Sequence, residues 1–460
     1  MIRRLGHRFA AIARATTPDP FVLAIALTLL VFALAAAIEG TGPVEIVEAW
    51  QGDSGFWSLL AFTMQMVLIL VTGHALASSP AVSAVIAFFA RIPRSGAQAA
   101  WLVSAVAIAM ALLNWGLGLV VGAILAREVG RSCAERGVHA HYPLLAAAGY
   151  TGLMCWHGGI SGTAPLMMTT QANVTKFLGE DLGARVGTVP FTDTVLGAEN
   201  AVVTGGLLVL VPLVCAAMAP RKNDPADPAV ALGPGPNATG PASSGPGPEE
   251  ATVPERIEKS PWLTVVVAIP LVAAVVLWWW ETGITQLDPN ALNLMFLTAG
   301  LVLHGTVRRY VAAVTDAANG AAGIILQFPF YAGIMGVMRA TGLGATFATA
   351  LTDVATPETY GVITILSAGV INLFVPSGGG QWAVQGPIAV QASTALGVPF
   401  ERAIMGVAYG DQLTNMLQPF WALPLLAITG VKARDIIGYT TVVMIAGALW
   451  MCGCMYAFSL

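Results

Sequence analysis

Residues 371–381, Ile-Asn-Leu-Phe-Val-Pro-Ser-Gly-Gly-Gly-Gln, interrupt an apolar run that extends from Val362 to Ala395. Pro376 and the three glycines end a helix there, and the backbone N–H and C=O groups they free need partners. A new helix starting beyond Ser377 turns its unpaired N–H groups toward the break, and such a helix start attracts anions. Asn372 and Gln381 add amides that both donate and accept. A packing kink needs only one Gly or Pro. The run Pro-Ser-Gly-Gly-Gly between two amides points instead to a binding site lined by Asn372, Ser377, Gly378, Gly379 and Gln381.

Three other apolar stretches are broken in the same manner. Asn114-Trp-Gly-Leu-Gly brings Asn114, Gly116 and Gly118; residues 156–165 bring His157, Ser161 and Thr163; residues 409–419 bring Asp411, Thr414 and Asn415. Hydroxyls among glycines can form an anion nest, whereas in an unbroken helix they bond the preceding turn. Asn114 and Asn372 can meet a cation through the carbonyl oxygen or a carboxylate through the NH₂; capping a hairpin tip is the alternative. Asp411 is the one acidic residue inside an apolar stretch away from its ends. A lone ionised carboxylate is disfavoured in that setting, so Asp411 is expected to hold a proton or a cation. Asp411, Thr414 and Asn415 supply oxygens suited to Na⁺, with Asn114 and Asn372 as further candidates for the coupling ion. His157 can exchange a proton near neutral pH, or serve as a satisfied core histidine. None of the four breaks contains Lys or Arg. An anion bound there is therefore a small monoanion rather than a multiply charged one.

These breaks sit in a chain of 460 residues that is 56% hydrophobic and 10% charged. Soluble domains carry roughly 25% charged residues. The class is an all-α polytopic membrane protein. A backbone break at membrane depth is tolerable only when it is buried in protein or lines a wet cavity. The net charge of −4 gives no sign of a nucleic-acid partner. The five cysteines are scattered, and Cys452 and Cys454 are too close together for a metal site. Arg3, Arg4, Arg8 and Arg14 precede an apolar run too long for a cleaved signal, so no leader is expected.

About nine spans plus two re-entrant hairpins fit the apolar pattern. The stretch around 99–126 has basic residues at both ends, Arg91 and Arg94 before it and Arg127, Arg131 and Arg136 after it. A hairpin that enters and leaves on one side keeps both groups cytoplasmic. Residues 143–168 form a broken span, 171–199 a polar outer loop and 201–218 a return span. Residues 220–260 are a Pro/Gly/Ala/Ser-rich stretch expected to be a disordered cytoplasmic linker. A connecting span covers 261–281. The second half, 290–460, holds a hairpin at 362–395 and a broken span at 404–428. This layout places all of the 21 Lys and Arg inside except Lys176, Arg185, Arg339 and Arg402. The N-terminus is then cytoplasmic and the C-terminus periplasmic. Residues 1–219 and 290–460 share an order of features: a span with a central Gln (Gln65, Gln327), a hairpin, a broken span and a closing span. The two hairpins open from opposite sides, so the halves read as inverted repeats, a pointer to a site at the membrane midplane. Gln65 and Gln327 are expected to brace the hairpins.

Five segments carry a resemblance: "DPFVLAIALTLLVFALA", "FWSLLAFTMQMVLILVTGHALASSP", "LNWGLGLVVGAILAREVGR", "YPLLAAAGYTGLMCWHGGISGTAPL" and "NLFVPSGGGQWAVQGPI". The chain resembles the short-chain fatty acid transporter family, of the bacterial acetoacetate/butyrate permease type, over nearly its whole length except 223–260. The resemblance implies an inner-membrane carrier of short-chain monocarboxylates. It also implies kinship with the ion-transporter superfamily, with inverted repeats and elevator-type movement. The hairpin tips here differ from the Ser-Asn-Thr of sodium-dicarboxylate members, which leaves both Na⁺ and H⁺ open as the coupling ion. The expected partners are a small carboxylate and the lipid bilayer, a homodimer is compatible, and no cofactor is expected beyond Na⁺. A rival is a cation/proton antiporter using Asp411 and His157. An embedded enzyme is disfavoured: there is no HExxH, no Gly-x-Ser-x-Gly and no nucleotide loop.

Overall fold

A computed structural model describes residues 2–220, 252–282, 288–352 and 354–460, and every regular element among these is helical. Most of the expected linker lies outside the described residues. Its final part forms a short helix, Val253–Glu258, started by Thr252 and Glu255, with the Thr252 N–H donating to Glu255 Oε2 at 2.9 Å.

The first half contains α1 (Ile2–Thr16), α2 (Pro20–Ile38), α3 (Pro43–Gln51), α4 (Leu60–Ala77), α5 (Pro80–Ala90), α6 (Gly96–Leu113), α7 (Trp115–Glu135), α8 (Tyr142–Tyr150), α9 (Thr163–Met167), α10 (Gln171–Leu178), α11 (Glu180–Val186) and α12 (Ala198–Met218). After α13, the short helix above, come α14 (Pro261–Thr282), α15 (Pro289–His304), α16 (Val307–Ala318), α17 (Ala322–Ala340), α18 (Leu343–Thr352), α19 (Tyr360–Asn372), α20 (Gly378–Leu396), α21 (Phe400–Thr414), α22 (Pro419–Thr429) and α23 (Ala433–Ala457). Among the described residues, seven helical segments are long and apolar enough to cross a membrane: α2, α4, α6, α12, α14, the α16–α17 segment and α23. The chain is a multi-pass membrane protein.

Starts and stops follow the local sequence. Asp19, Ser95, Asp288 and Thr306 each accept a first-turn N–H at the start of α2, α6, α15 and α16. Gly397 and Gly430 end α20 and α22 with φ of 67° and 73°, which a side chain would strain.

α6 and α7 fold back on each other about Asn114. A Cβ on Gly118 would lie 2.4 Å from Ala111 Cβ, and one on Gly122 2.9 Å from Ala107 Cβ. These pairs step away from the turn in register, as in an antiparallel helical hairpin. Its open ends meet: Arg136, just past α7, donates to the carbonyls of Ala90 (3.2 Å), Arg91 (3.0 Å) and Pro93 (2.9 Å), just before α6. α19 and α20 fold back in the same manner. Gln381 Nε2 donates to Ala368 O at 2.8 Å, and the Tyr360 hydroxyl to Ala389 O at 2.6 Å.

Each hairpin packs on a broken helix through glycines. A Cβ on Gly122 of α7 would sit 2.2 Å from Gly149 O of α8, and one on Gly410 of α21 2.3 Å from Ile365 O of α19. Small residues bring the backbones this close.

The structure differs from the sequence reading in four places. Arg127 and Arg131 lie within α7, because their long stems let a helix carry charge beyond its apolar part. The first broken span leaves α-helix at Thr151, before Trp156, and runs through two short 3₁₀ turns. Residues 171–199 are not an open loop. Val174, Leu178 and Leu182 of α10 and α11 are buried in one cluster with Trp382, Val390 and Ile404 of α20 and α21. Gln65 does not reach a hairpin; its Nε2 donates to Asn290 Oδ1 at 2.9 Å, at the start of α15.

Candidate functional site

The tips of both hairpins converge on residues 157–163. On one side, the Ile160 N–H donates to Leu112 O at 2.9 Å, at the end of α6. On the other, the start of α20 abuts the same segment: a Cβ on Gly378 would lie 2.9 Å from His157 Cε1 and 2.9 Å from Thr163 Oγ1. Glycine is needed at 378 for this close approach; its φ is not positive. Ser377 caps α20, its Oγ accepting the Gly380 N–H at 3.3 Å. The amides of Gly378 and Gly379 belong to the first turn, where intrahelical acceptors are lacking.

The two broken helices meet at His157 and Asp411. His157 Nε2 lies 3.1 Å from Asp411 Oδ1. His157 is 1% exposed and Asp411 2%, so the site is closed to solvent in this conformation. His157 Nδ1 accepts the Thr163 N–H at 3.2 Å. An accepting Nδ1 places the imidazole proton on Nε2, facing the carboxylate. The histidine backbone is fixed as well, its N–H donating to Gln412 Oε1 at 3.1 Å. The approach to Asp411 is close but poorly aligned: His157 Nε2 and Asp411 Oδ2 are both buried without a hydrogen-bond partner, and so is Ser161 Oγ. Buried polar groups are nearly always paired, so these three atoms are exceptions that call for an explanation.

Below this pair, the Asn372 amide nitrogen is surrounded by oxygens. Nδ2 donates to Asp411 O (2.8 Å), Thr414 Oγ1 (3.0 Å) and Asn415 Oδ1 (2.9 Å). Gln418 Nε2 donates to Asn372 O at 2.7 Å. The oxygens expected for Na⁺ thus do converge, the one from Asp411 being its backbone carbonyl, and an amide nitrogen occupies their centre. The structure fits a cation only partly: Asn372 Oδ1 is buried and unpartnered. Rotating that amide would set a fourth oxygen among the three.

An aromatic wall stands beside the pair. The rings of Trp156 and His157 are 3.6 Å apart, Trp115 lies 6.3 Å from Trp156, and Trp421 lies 5.1 Å from Trp115. Trp115 follows the first hairpin tip and Trp421 follows the second break, so the wall joins both halves.

Of the residues expected at the site, His157, Ser161, Thr163, Asn372, Gly378, Asp411, Thr414 and Asn415 come together here. Gly379 is close by, its Cβ position 3.0 Å from Met167 Cε. Gln381 instead ties the second hairpin shut through Ala368 O and Gln385 Oε1 at 3.1 Å. Asn114 caps α7, its Oδ1 accepting from Gly116 at 2.9 Å and Leu117 at 3.1 Å. Gly118 serves packing against Ala111, and Gly116 lies against Leu292.

Sequence reasoning missed residues that hold the breaks open. The Tyr150 hydroxyl donates to Asn415 O (2.8 Å) and Gln418 O (2.9 Å), meeting carbonyls freed at the second break. Asn200 Nδ2 donates to Gly158 O at 2.9 Å, and its Oδ1 accepts from Tyr409 at 2.9 Å. No local signal marks them: an Asn or Tyr in an apolar stretch is an ordinary residue, and the sequence placed the first break at Trp156 rather than directly after Tyr150.

The Short chain fatty acid transporter family model matches residues 1–458. An Escherichia coli K12 protein provisionally named a short-chain fatty acid transporter is 39% identical over 98% of this chain and 99% of its own. A Haemophilus influenzae protein with the same provisional name is 36% identical over 97% of each chain. The crystal structure of the Alcanivorax borkumensis YdaH transporter aligns over 96% of this chain and 98% of its own, with 18% identity and a TM-score of 0.43. Both relatives and the family are transporters, not enzymes. With a family match over nearly all of its length, the chain belongs to the short-chain fatty acid transporter family.

Proposed function

We propose that the protein is a proton-coupled symporter importing short-chain monocarboxylates, such as acetoacetate or butyrate, across the bacterial inner membrane. The observation that carries the coupling is the buried His157–Asp411 pair, one residue from each half, with polar atoms left unpartnered. A proton on Asp411 offsets the charge of one carboxylate. The loaded and empty sites then carry equal net charge, so the two legs cancel and one full cycle moves no net charge across the membrane. The carboxylate is met by the first amides of α20, Ser161 and Thr163, and the acyl chain by Trp156 and Trp115. Anion recognition by a helix start needs no Lys or Arg. The hairpins re-enter from opposite faces as parts of inverted repeats, and alternating access is an elevator-type movement of the hairpins and broken helices together.

A second reading is Na⁺ coupling at Asp411, Thr414 and Asn415, favoured by the ring of oxygens around the Asn372 amide. A third is cation/proton antiport without a carboxylate. Uptake of labelled butyrate into proteoliposomes separates them. Proton symport gives accumulation under an inward proton gradient without Na⁺, insensitive to membrane potential. Accumulation that requires Na⁺ selects the second reading, and no uptake under either gradient selects the third. Asp411→Asn should retain butyrate exchange and lose gradient-driven accumulation; accumulation at the wild-type level would remove Asp411 from the coupling.

A further inference from the structure

The geometry points to a binding site for an anionic phospholipid at the end of the molecule where the first hairpin opens. A cleft of about 1030 Å³ lies there between the first turn of α1, the start of α6, the turn after α7 and the end of α12. Arg3, Arg4, Arg94 and His139 line it, and among the described residues no Asp or Glu does. The α6 residues Gly96 and Ala97, whose N–H groups have no intrahelical acceptor, also line it. A second groove of about 570 Å³ adjoins the cleft, sharing Arg94 and Ala97. Its character is the opposite. Ile92, Trp101, Leu102 and Ala216 line it, with Ile92 50% and Trp101 45% exposed.

A basic cleft opening into an apolar groove matches one ligand class: a phosphate head group with acyl chains attached. A free phosphate uses only the cleft, and an uncharged lipid only the groove. Clusters of guanidinium groups at the cytoplasmic interface recognise anionic head groups in this way.

The walls are fixed. α1 is locked on α23, where a Cβ on Gly438 would lie 2.2 Å from Ala10 N, so Arg3 and Arg4 project from an anchored helix. Arg136 ties down residues 90–93 beside Arg94. A Cβ on Gly96 would meet His139 O at 2.6 Å, so glycine lets the two sides of the cleft close on each other. The site lies away from His157 and Asp411 and does not depend on the proposed substrate or coupling.

The test uses the delipidated full chain in detergent, titrated with phosphatidylglycerol or phosphatidylcholine, with bound lipid counted by native mass spectrometry. Phosphatidylglycerol should bind and phosphatidylcholine should not compete with it. Each interfacial Arg contributes on the order of 1 kcal/mol, so Arg94→Gln should weaken phosphatidylglycerol about 5-fold, and the triple change Arg3→Gln, Arg4→Gln and Arg94→Gln about 100-fold. Trp101→Ala should weaken phosphatidylglycerol binding without letting phosphatidylcholine compete. Arg308→Gln with Arg309→Gln, equal in charge to two of these changes, should leave affinity unchanged. Equal binding of the two lipids, or equal loss in the Arg308/Arg309 control, would overturn the site. Displacement of the lipid by millimolar inorganic phosphate would reassign it to free phosphate. The single Arg94→Gln variant keeps the test decisive if the triple variant does not fold.

Discussion

The closeness of Gly378 to His157 sets a steric limit that two neighbouring glycines let us test. A methyl at 378 would press on His157 Cε1 and Thr163 Oγ1, both held in a buried network. A methyl at 379 meets only Met167 Cε, the end of a flexible side chain, at 3.0 Å. Gly378→Ala should therefore lower butyrate uptake by more than about 10-fold with normal membrane insertion, while Gly379→Ala stays within about 3-fold, the gap reflecting an overpacking cost of about 1–3 kcal/mol. Equal rates in the two variants would show that the tip moves off His157 freely. His157, Asp411 and the Asn372 cluster were legible in the sequence because a polar residue inside an apolar stretch stands out by type alone. The direct pairing of His157 with Asp411 was not legible, since 254 positions separate them and nothing local encodes which elements cross. Asn114 shows the opposite case. Its side chain looks like a ligand by type, and the turn of backbone beyond it claims its oxygen for capping.

At the scale of elements, the hairpin α6–α7 is set by glycine and alanine pairs and closed at its open end by Arg136. Both ends of the hairpin should face one side of the membrane. Single cysteines at Arg94 and Arg136, labelled in intact cells and in inverted vesicles, should react from the cytoplasmic side alike; opposite sides would turn α6 and α7 into two separate spans. Gly122→Leu should prevent folding altogether, since the side chain would enter the backbone of Gly149. Protease resistance and yield of the Gly122→Leu variant check this directly. The Asn114-Trp-Gly-Leu-Gly break between two apolar runs marked the fold-back of α6 on α7 in the sequence, and the basic residues flanking 99–126 bear on the sidedness that the labelling decides. The helices α10 and α11 were hidden because their apolar face is short and is surrounded by Gly, Glu and Asp that read as loop.

At the scale of the molecule, the halves are tied by side chains that reach across. Tyr150 bonds two carbonyls of the second break, Tyr142 donates to Thr429 O at 2.6 Å, and Arg402 of α21 pairs with Glu199 of α12. Tyr150→Phe leaves two buried carbonyls without that donor and should destabilise the fold by about 1–2 kcal/mol, read as a lower thermal midpoint in detergent. An unchanged midpoint would mean that water replaces the hydroxyl. Glu199→Gln and Arg402→Gln should each destabilise, and the double variant should do so by less than the sum of the two. The composition announced a bundle of spans at this scale. The cross-links were invisible because tyrosine and glutamate near span ends are ordinary residues until the opposite half is folded against them.

The Tyr150 hydroxyl has a consequence for how the protein is made. The carbonyls of Asn415 and Gln418 leave the ribosome long after Tyr150 has entered the bilayer, so the first half waits with a buried donor unmet and the second half arrives with acceptors exposed. Neither half is a finished object. A gene cut within residues 223–250 should then give no stable product from either fragment alone, while the two fragments produced in one cell should find each other and restore butyrate uptake. Independent stability of the first fragment would show that the breaks satisfy themselves locally.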